Sequence, residues 1–268
     1  MNTREQKPSQ LNSLPNAKAK VLFLGYQATE TKLINILIDN ECEVWHTSSP
    51  ISSTVGFDFV ISFGYRHILK NNIINSSSAP IINLHISYLP YNRGAHPNFW
   101  SFFEGTPTGV SIHLIDEGID TGPILFQRYA NFPKTAITFT QTYDFLIELI
   151  EQLFVENIQS IIAKSYSPKK QKHKGTYHCV ADLPKSFSGW GAVIEDEIKT
   201  LEQQYTVNQN SKLTLIDEIE NIRRANNVNW MDLLRLAFRE SPNQAKELVR
   251  RINTDDNKIS ALFAKLGE

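Results

Sequence analysis

The stretch I-I-N-L-H-I-S-Y-L-P-Y-N-R-G-A-H-P-N-F-W, from Ile81 to Trp100, carries the clearest signal in the chain. Its opening, Ile81 to His85, is apolar enough for a buried strand, yet Asn83 and His85 stand two residues apart and so share one strand face. A buried amide and a buried imidazole both need hydrogen-bond partners, supplied either by the core or by a ligand. The strand then runs into Ser87-Tyr88-Leu89-Pro90 and Asn92-Arg93-Gly94, a polar, turn-prone segment. In open α/β sheets, ligands bind at the carboxyl ends of strands.

Strand and helix patterns alternate outward from this stretch. Lys20 to Gly25 reads as a buried strand, Thr29 to Asn40 as an amphipathic helix, Glu41 to Trp45 and Phe57 to Ser62 as strands, and Ala79 to His85 as a fourth strand. Gly109 to Ile115 and Pro123 to Tyr129 supply two more strands, and Thr138 to Ala163 a long helix. The rhythm predicts an α/β fold, a doubly wound and mostly parallel sheet with a smaller, mainly helical C-terminal region. Gly25 ends the first strand, but the following Y-Q-A-T-E lacks the glycine-rich turn of a dinucleotide site.

Four segments are expected: a flexible leader over 1–19, a catalytic domain over 20–165, a solvated linker over 166–180 containing P-K-K-Q-K-H-K-G, and a helical region over 181–268. In the last, Leu215, Ile219 and Ile222 fall on one helical stripe suited to covering apolar surface or forming a homodimer. The net charge of −1 provides no global positive field for nucleic acid or an anionic membrane. Polar leader residues and the lack of long apolar runs predict no signal peptide and no membrane span. The two cysteines, Cys42 and Cys179, sit in no metal-ligand spacing, so no metal and no disulfide framework are expected, and a reducing cytoplasm fits.

A second polar cluster, I-D-E-G-I-D-T-G-P-I, spans Ile115 to Ile124 and follows the fifth strand. Set against Asn83 and His85 across a cleft, it suits attack of an amine on an acyl carbon. An amide N–H stabilises the charge growing on the carbonyl oxygen, and an imidazole accepts the proton the amine sheds. A carboxylate, Asp116 or Asp120, orients the ring.

These two motifs resemble the N-x-H-x-S-x-L-P-x-x-R-G-x-x-P signature and the second aspartate motif of the folate-dependent formyltransferases, over about Lys20 to Ile124. The resemblance implies a Rossmann-like core and transfer of a formyl group from N10-formyltetrahydrofolate to an amine. It places the oxyanion donor at Asn83, the general base at His85 and the supporting carboxylate at Asp120 rather than Asp116. I-S-F-G-Y-R-H-I-L, T-P-T-G-V-S-I-H and G-T-Y-H further resemble the sugar N-formyltransferases, which act on nucleotide-linked 4-amino-4,6-dideoxy sugars (dTDP, UDP or GDP) for surface glycans such as O-antigen lipopolysaccharide or capsule.

The resemblance implies that folate lies along Phe63, Tyr65, Arg66, Ile68 and Leu69 and the loop with Leu114, Asp116 and Gly118. The amino sugar would enter near Tyr91, Asn92, Arg93 and Pro97. Arg93 either answers a diphosphate or clamps its loop, and Tyr177 or Trp190 stacks on the base unless Trp190 anchors a domain contact. His67, His96 and His113 are expected to be structural or solvent-facing. The competing readings are formylation of methionyl-tRNA or another amine, and a non-enzymatic protein that binds folate or a sugar nucleotide.

Overall fold

The computed structural model describes residues 7–266, apart from side chains at 207–214, 216–217, 219–229, 256, 259–260 and 262–266. Two compact units are present, 1–201 and 202–268. In the first, a seven-stranded sheet is ordered β1-β3-β2-β4-β5-β7-β8. These strands are β1 (Ser9–Gln10), β2 (Ala19–Gly25), β3 (Cys42–Thr47), β4 (Phe59–Phe63), β5 (Ile81–His85), β7 (Gly109–Leu114) and β8 (Ile124–Tyr129). A separate two-stranded ladder pairs β6 (Arg93–Gly94) with β9 (Tyr177–His178).

The pairs β3–β2, β2–β4 and β4–β5 are parallel, whereas β1–β3, β5–β7 and β7–β8 are antiparallel. Strands β3, β2, β4, β5 and β8 therefore run one way and only β1 and β7 oppose them, which is the mostly parallel α/β sheet expected. Helix α1 (Leu33–Asp39) and the long helix α4 (Phe139–Ile162) cover one face over Val21, Phe23, Phe59, Ile61, Ile82 and Leu84. The other face packs Leu22, Leu24, Val60 and Ile81 against Ile73 of α2 (Asn71–Ser76). Phe23 and Phe59 are fully buried, and truncating such a side chain to Ala costs about 3–5 kcal/mol. Thr138 caps α4, accepting from the Gln141 N–H while the Gln141 side chain answers the Thr138 N–H.

The expected segment boundaries differ from the structure in three places. Residues 1–6 of the leader lie outside the described residues, but Ser9 and Gln10 pair with β3, and Asn12 Oδ1 accepts the Val44 N–H at 2.8 Å. The linker is bonded to the first unit along its length: Lys169 exchanges two 2.8 Å backbone hydrogen bonds with Ile124. Its lysines are exposed, which is what the sequence registers, but its main chain follows the sheet edge. Finally, residues 183–201 pack onto α3 (Pro97–Phe103), with Phe187, Ile194, Ile198 and Leu201 joining Phe99, Trp100 and Phe139 in an aromatic cluster.

The second unit consists of the remainder of α5 (Ile194–Glu240) and α6 (Pro242–Leu266). Leu215 is exposed; Ile219 and Ile222 of the expected stripe lie outside the described side chains. No helix among the described residues is long and apolar enough to cross a membrane. Cys42 and Cys179 are free thiols, and burial pushes Cys42 up to about 11.

Candidate active site

Alternation along β5 sends Ile82 and Leu84 into the main core and turns Asn83 and His85 to the opposite face. Antiparallel pairing with β7 sets Asn83 opposite His113 and His85 opposite Ser111. The loop after β7 returns Asp120 to this group. Asp120 Oδ2 lies 3.6 Å from His85 Nε2 and accepts the Gly94 N–H at 2.9 Å, while Oδ1 accepts Asn83 Nδ2 at 3.2 Å. Asp120 adopts φ +53°, a left-handed conformation that Asp tolerates better than most residues. Its loop is shaped by Asp116, whose Oδ1 accepts from the Gly118 N–H at 3.1 Å and the Thr121 hydroxyl at 2.5 Å.

His85 Nε2 also faces the Asn92 carbonyl at 3.3 Å. A carbonyl and a carboxylate only accept, so these partners assign the hydrogen to Nε2 and leave Nδ1 with the lone pair. Burial lowers the His85 pKa, against the pull of Asp120 and with a further push from His113. For Asp120, burial alone would raise the pKa, but His85, His113 and the Gly94 N–H outweigh it and hold the carboxyl well below the usual range. A neutral imidazole thus stands beside an ionised carboxylate, a pair able to take a proton from an amine.

His113 belongs to the same cluster as a buried, hydrogen-bonded side chain, in keeping with a structural role. It is 1% exposed, with Nδ1 on the Leu114 carbonyl at 2.8 Å and Nε2 3.2 Å from Asn83 Nδ2 and 3.4 Å from Asp120 Oδ1. The signal available in sequence was Ser111 and His113 two apart in an apolar strand, the mirror of Asn83 and His85. Both N–H bonds of Asn83 face acceptors within the cluster, so it donates to a developing oxyanion only by exchanging one of these 3.2 Å contacts.

The cluster sits where two cavities meet. The larger, about 500 Å³, is lined by Tyr26, Phe63, His85, Pro97, Tyr143 and Tyr177, among others. The smaller, about 190 Å³, is lined by Leu69, Ile74 and Ile115 and by Asp116 to Asp120, among others. Asn83, Asp120, Tyr65, Ile68 and Ile119 line both. Ile68 is 82% exposed, an apolar side chain left at the shared mouth. Of the expected folate residues, Phe63 lines the larger cavity, while Leu69, Asp116 and Gly118 line the smaller. Leu114 packs on the core, and Arg66 instead lines a third cavity of about 620 Å³ with His96, Trp190 and Asp144.

Two expected substrate residues are otherwise engaged. The Asn92 side chain is buried, donating to Thr106 Oγ1 at 2.8 Å and accepting from Thr176 Oγ1 at 3.2 Å. Arg93 takes the clamp role rather than the diphosphate role, with Nη2 on the Lys174 carbonyl at 2.8 Å and Nε on that of Thr176 at 3.4 Å. Tyr91 is half-buried and its carbonyl accepts the Ser87 hydroxyl. Pro97 lines both the first and third cavities.

Comparison with known proteins places the chain in a family. The formyl transferase family model matches residues 51–158. The formyltransferase PseJ from Anoxybacillus kamchatkensis, solved in complex with UDP-4,6-dideoxy-4-formamido-L-AltNAc and tetrahydrofolate, is 37% identical. It superposes with a TM-score of 0.61 over 66% of this chain and 96% of its own. A methionyl-tRNA formyltransferase from Clostridium perfringens is 33% identical over 127 residues, 47% of this chain and 40% of its own length. A dTDP-4-amino-4,6-dideoxyglucose formyltransferase from Mycobacterium bovis is 29% identical over 127 residues, 47% of this chain and 53% of its own. The chain thus spans about half or less of these two curated relatives, but nearly all of the A. kamchatkensis protein. With that protein matched almost end to end, the chain belongs to the formyl transferase family.

Proposed function

We propose that the protein is a sugar N-formyltransferase that moves a formyl group from N10-formyltetrahydrofolate to the amine of a UDP-linked 4-amino-4,6-dideoxy sugar. The observation that carries this reading is the junction of two cavities at Asn83, His85 and Asp120, a layout that brings a donor and an acceptor together. The smaller cavity, lined by Tyr65, Ile68, Leu69, Ile74 and Ile115 together with the polar Asn83, Asp116 and Asp120, suits the pterin. The larger suits the sugar, and the third cavity, which shares Ile86, Pro97 and Tyr143 with it, suits the nucleotide beside Arg66 and Trp190.

The amine attacks the formyl carbon, His85 Nδ1 takes the proton the nitrogen sheds, and Asp120 stabilises the resulting imidazolium. Asn83 turns one N–H to the formyl oxygen as charge grows there. The carbon–N10 bond then breaks, the His85 imidazolium returns its proton to N10, and the N-formylated sugar nucleotide and tetrahydrofolate leave. The choice of UDP rests on the A. kamchatkensis relative, solved in complex with a UDP-linked 4-formamido sugar. Such a product would serve a surface glycan assembled from cytoplasmic precursors.

Methionyl-tRNA formylation is the second reading, favoured by the C. perfringens relative. Mass spectrometry distinguishes the two: the purified chain is given N10-formyltetrahydrofolate with a panel of UDP-, dTDP- and GDP-linked amino sugars, or with charged initiator tRNA. Formylation of a sugar nucleotide is expected; formylation of the tRNA alone would overturn the assignment.

A further inference from the structure

We propose that the segment Lys169–His178, between α4 and the aromatic cluster, is a positioning strap for the catalytic group, with Gln171 and Thr176 as its positioning residues. The proposal rests on the roles given above to His85 and Asp120. It extends them to a segment outside the residues matched by the family model.

The strap holds both loops that deliver contacts to the group. On one side, Gln171 Nε2 donates to the Asp120 carbonyl at 2.8 Å and the Gly122 carbonyl at 2.9 Å. Two carbonyls can only accept, so the amide orientation is fixed, and Gln171 Oε1 is left buried without a partner. An orphaned buried acceptor costs stability, but an apolar side chain here would take the donor away from both the Asp120 and the Gly122 carbonyls.

On the other side, Thr176 Oγ1 accepts the Asn92 N–H at 2.8 Å and donates to Asn92 Oδ1 at 3.2 Å. The Thr176 carbonyl accepts the Arg93 N–H at 3.1 Å, and that of His178 accepts the Ala95 N–H at 2.8 Å. His178 is itself latched by stacking on Trp100 and by Glu104, 2.8 Å from its Nε2. The segment clasped in this way presents the Asn92 carbonyl to His85 and the Gly94 N–H to Asp120. One short strap therefore sets the backbone partners of both the base and its carboxylate. Small displacements are enough to matter, since reacting groups misplaced by about 1 Å can cost on the order of 10²-fold in rate.

The test uses the full chain and the variants Gln171→Met, Thr176→Val and Thr176→Ser. Imidazole resonances are followed by NMR from acid to neutral pH, with the His85 signal identified by its loss in His85→Gln. The groups facing His85 are Asp120 and His113, with Tyr143, Tyr177, His178 and Cys179 across the cavity. In Gln171→Met and in Thr176→Val the His85 resonance and its titration midpoint are expected to move, while His46 and His67 stay in place. Thr176→Ser, which keeps the hydroxyl, restores the wild-type position.

In turnover assays the first two variants lose up to about 10²-fold in kcat with KM little changed. A His85 signal that titrates as in the wild type in both would overturn the proposal. Should one variant fail to fold, the other decides, because they act on opposite loops. The NMR result needs no substrate, so a chain inactive on every amino sugar would sink the proposed function and leave this test standing.

Discussion

At the residue scale, burial favours the neutral form of His85 while the partners of Asp120 keep its carboxylate charged. With His85 as the proposed base acting in its neutral form, kcat/KM is expected to rise with pH through the His85 pKa, which lies below the ordinary 6.5. A profile flat near neutral pH and falling on the acid side is the expected outcome. Asp120 pulls that pKa up, so Asp120→Asn is expected to move the acid limb to still lower pH while reducing the plateau; a limb at an unchanged pH would place the supporting carboxylate elsewhere. Asn83, His85 and Asp120 were legible because polar residues stood out in apolar alternation and a glycine-rich turn. His113 was not, because its part depends on the cross-strand register that sets it opposite Asn83. For Asn92 the expected substrate contact and for Arg93 the clamp alternative both concern side chains, which here hold the loop. It is backbone atoms of this segment, the Asn92 carbonyl and the Gly94 N–H, that face the reacting groups, and backbone contacts leave little trace in side-chain identity.

At the scale of elements, β6 and β9 are only two residues each, yet they decide where the Asp120 partner lies. Gly94 has φ +85°, and a Cβ there would meet the His178 carbonyl oxygen at 2.3 Å. Gly94→Ala should therefore lower stability by about 1–3 kcal/mol, read as a lower urea midpoint at unchanged slope, and reduce turnover as the N–H leaves Asp120. Equal midpoints for variant and wild type would mean that this backbone is free to adapt. The main strands and α4 were readable from period and capping, since their patterns are long and local. The strap was read as solvated linker because its lysines are polar, whereas what fixes it is main-chain pairing to Ile124, Arg93 and Ala95, which polarity does not report.

At the scale of the whole molecule, the cavities belong to the first compact unit, and ligands that fill them should stabilise it. A ligand at about a hundred times its Kd adds about 2.7 kcal/mol to the folded state. Tetrahydrofolate and UDP are each expected to raise the unfolding temperature, and together to raise it further; no shift with either would leave the two-cavity assignment without support. The helical second unit lies beyond what the formyltransferase motifs describe, and its exposed Trp230, Leu233 and Leu236 were foreseeable only as an amphipathic pattern. The most direct measurement pairs the wild-type chain with His85→Asn, supplying N10-formyltetrahydrofolate and a UDP-linked 4-amino-4,6-dideoxy sugar and following the product by mass. The wild type is expected to add one formyl group to the sugar nucleotide, and the variant to be slower by about 10²–10⁴-fold. Equal rates, or a formylated product that is not the sugar nucleotide, would contradict that expectation.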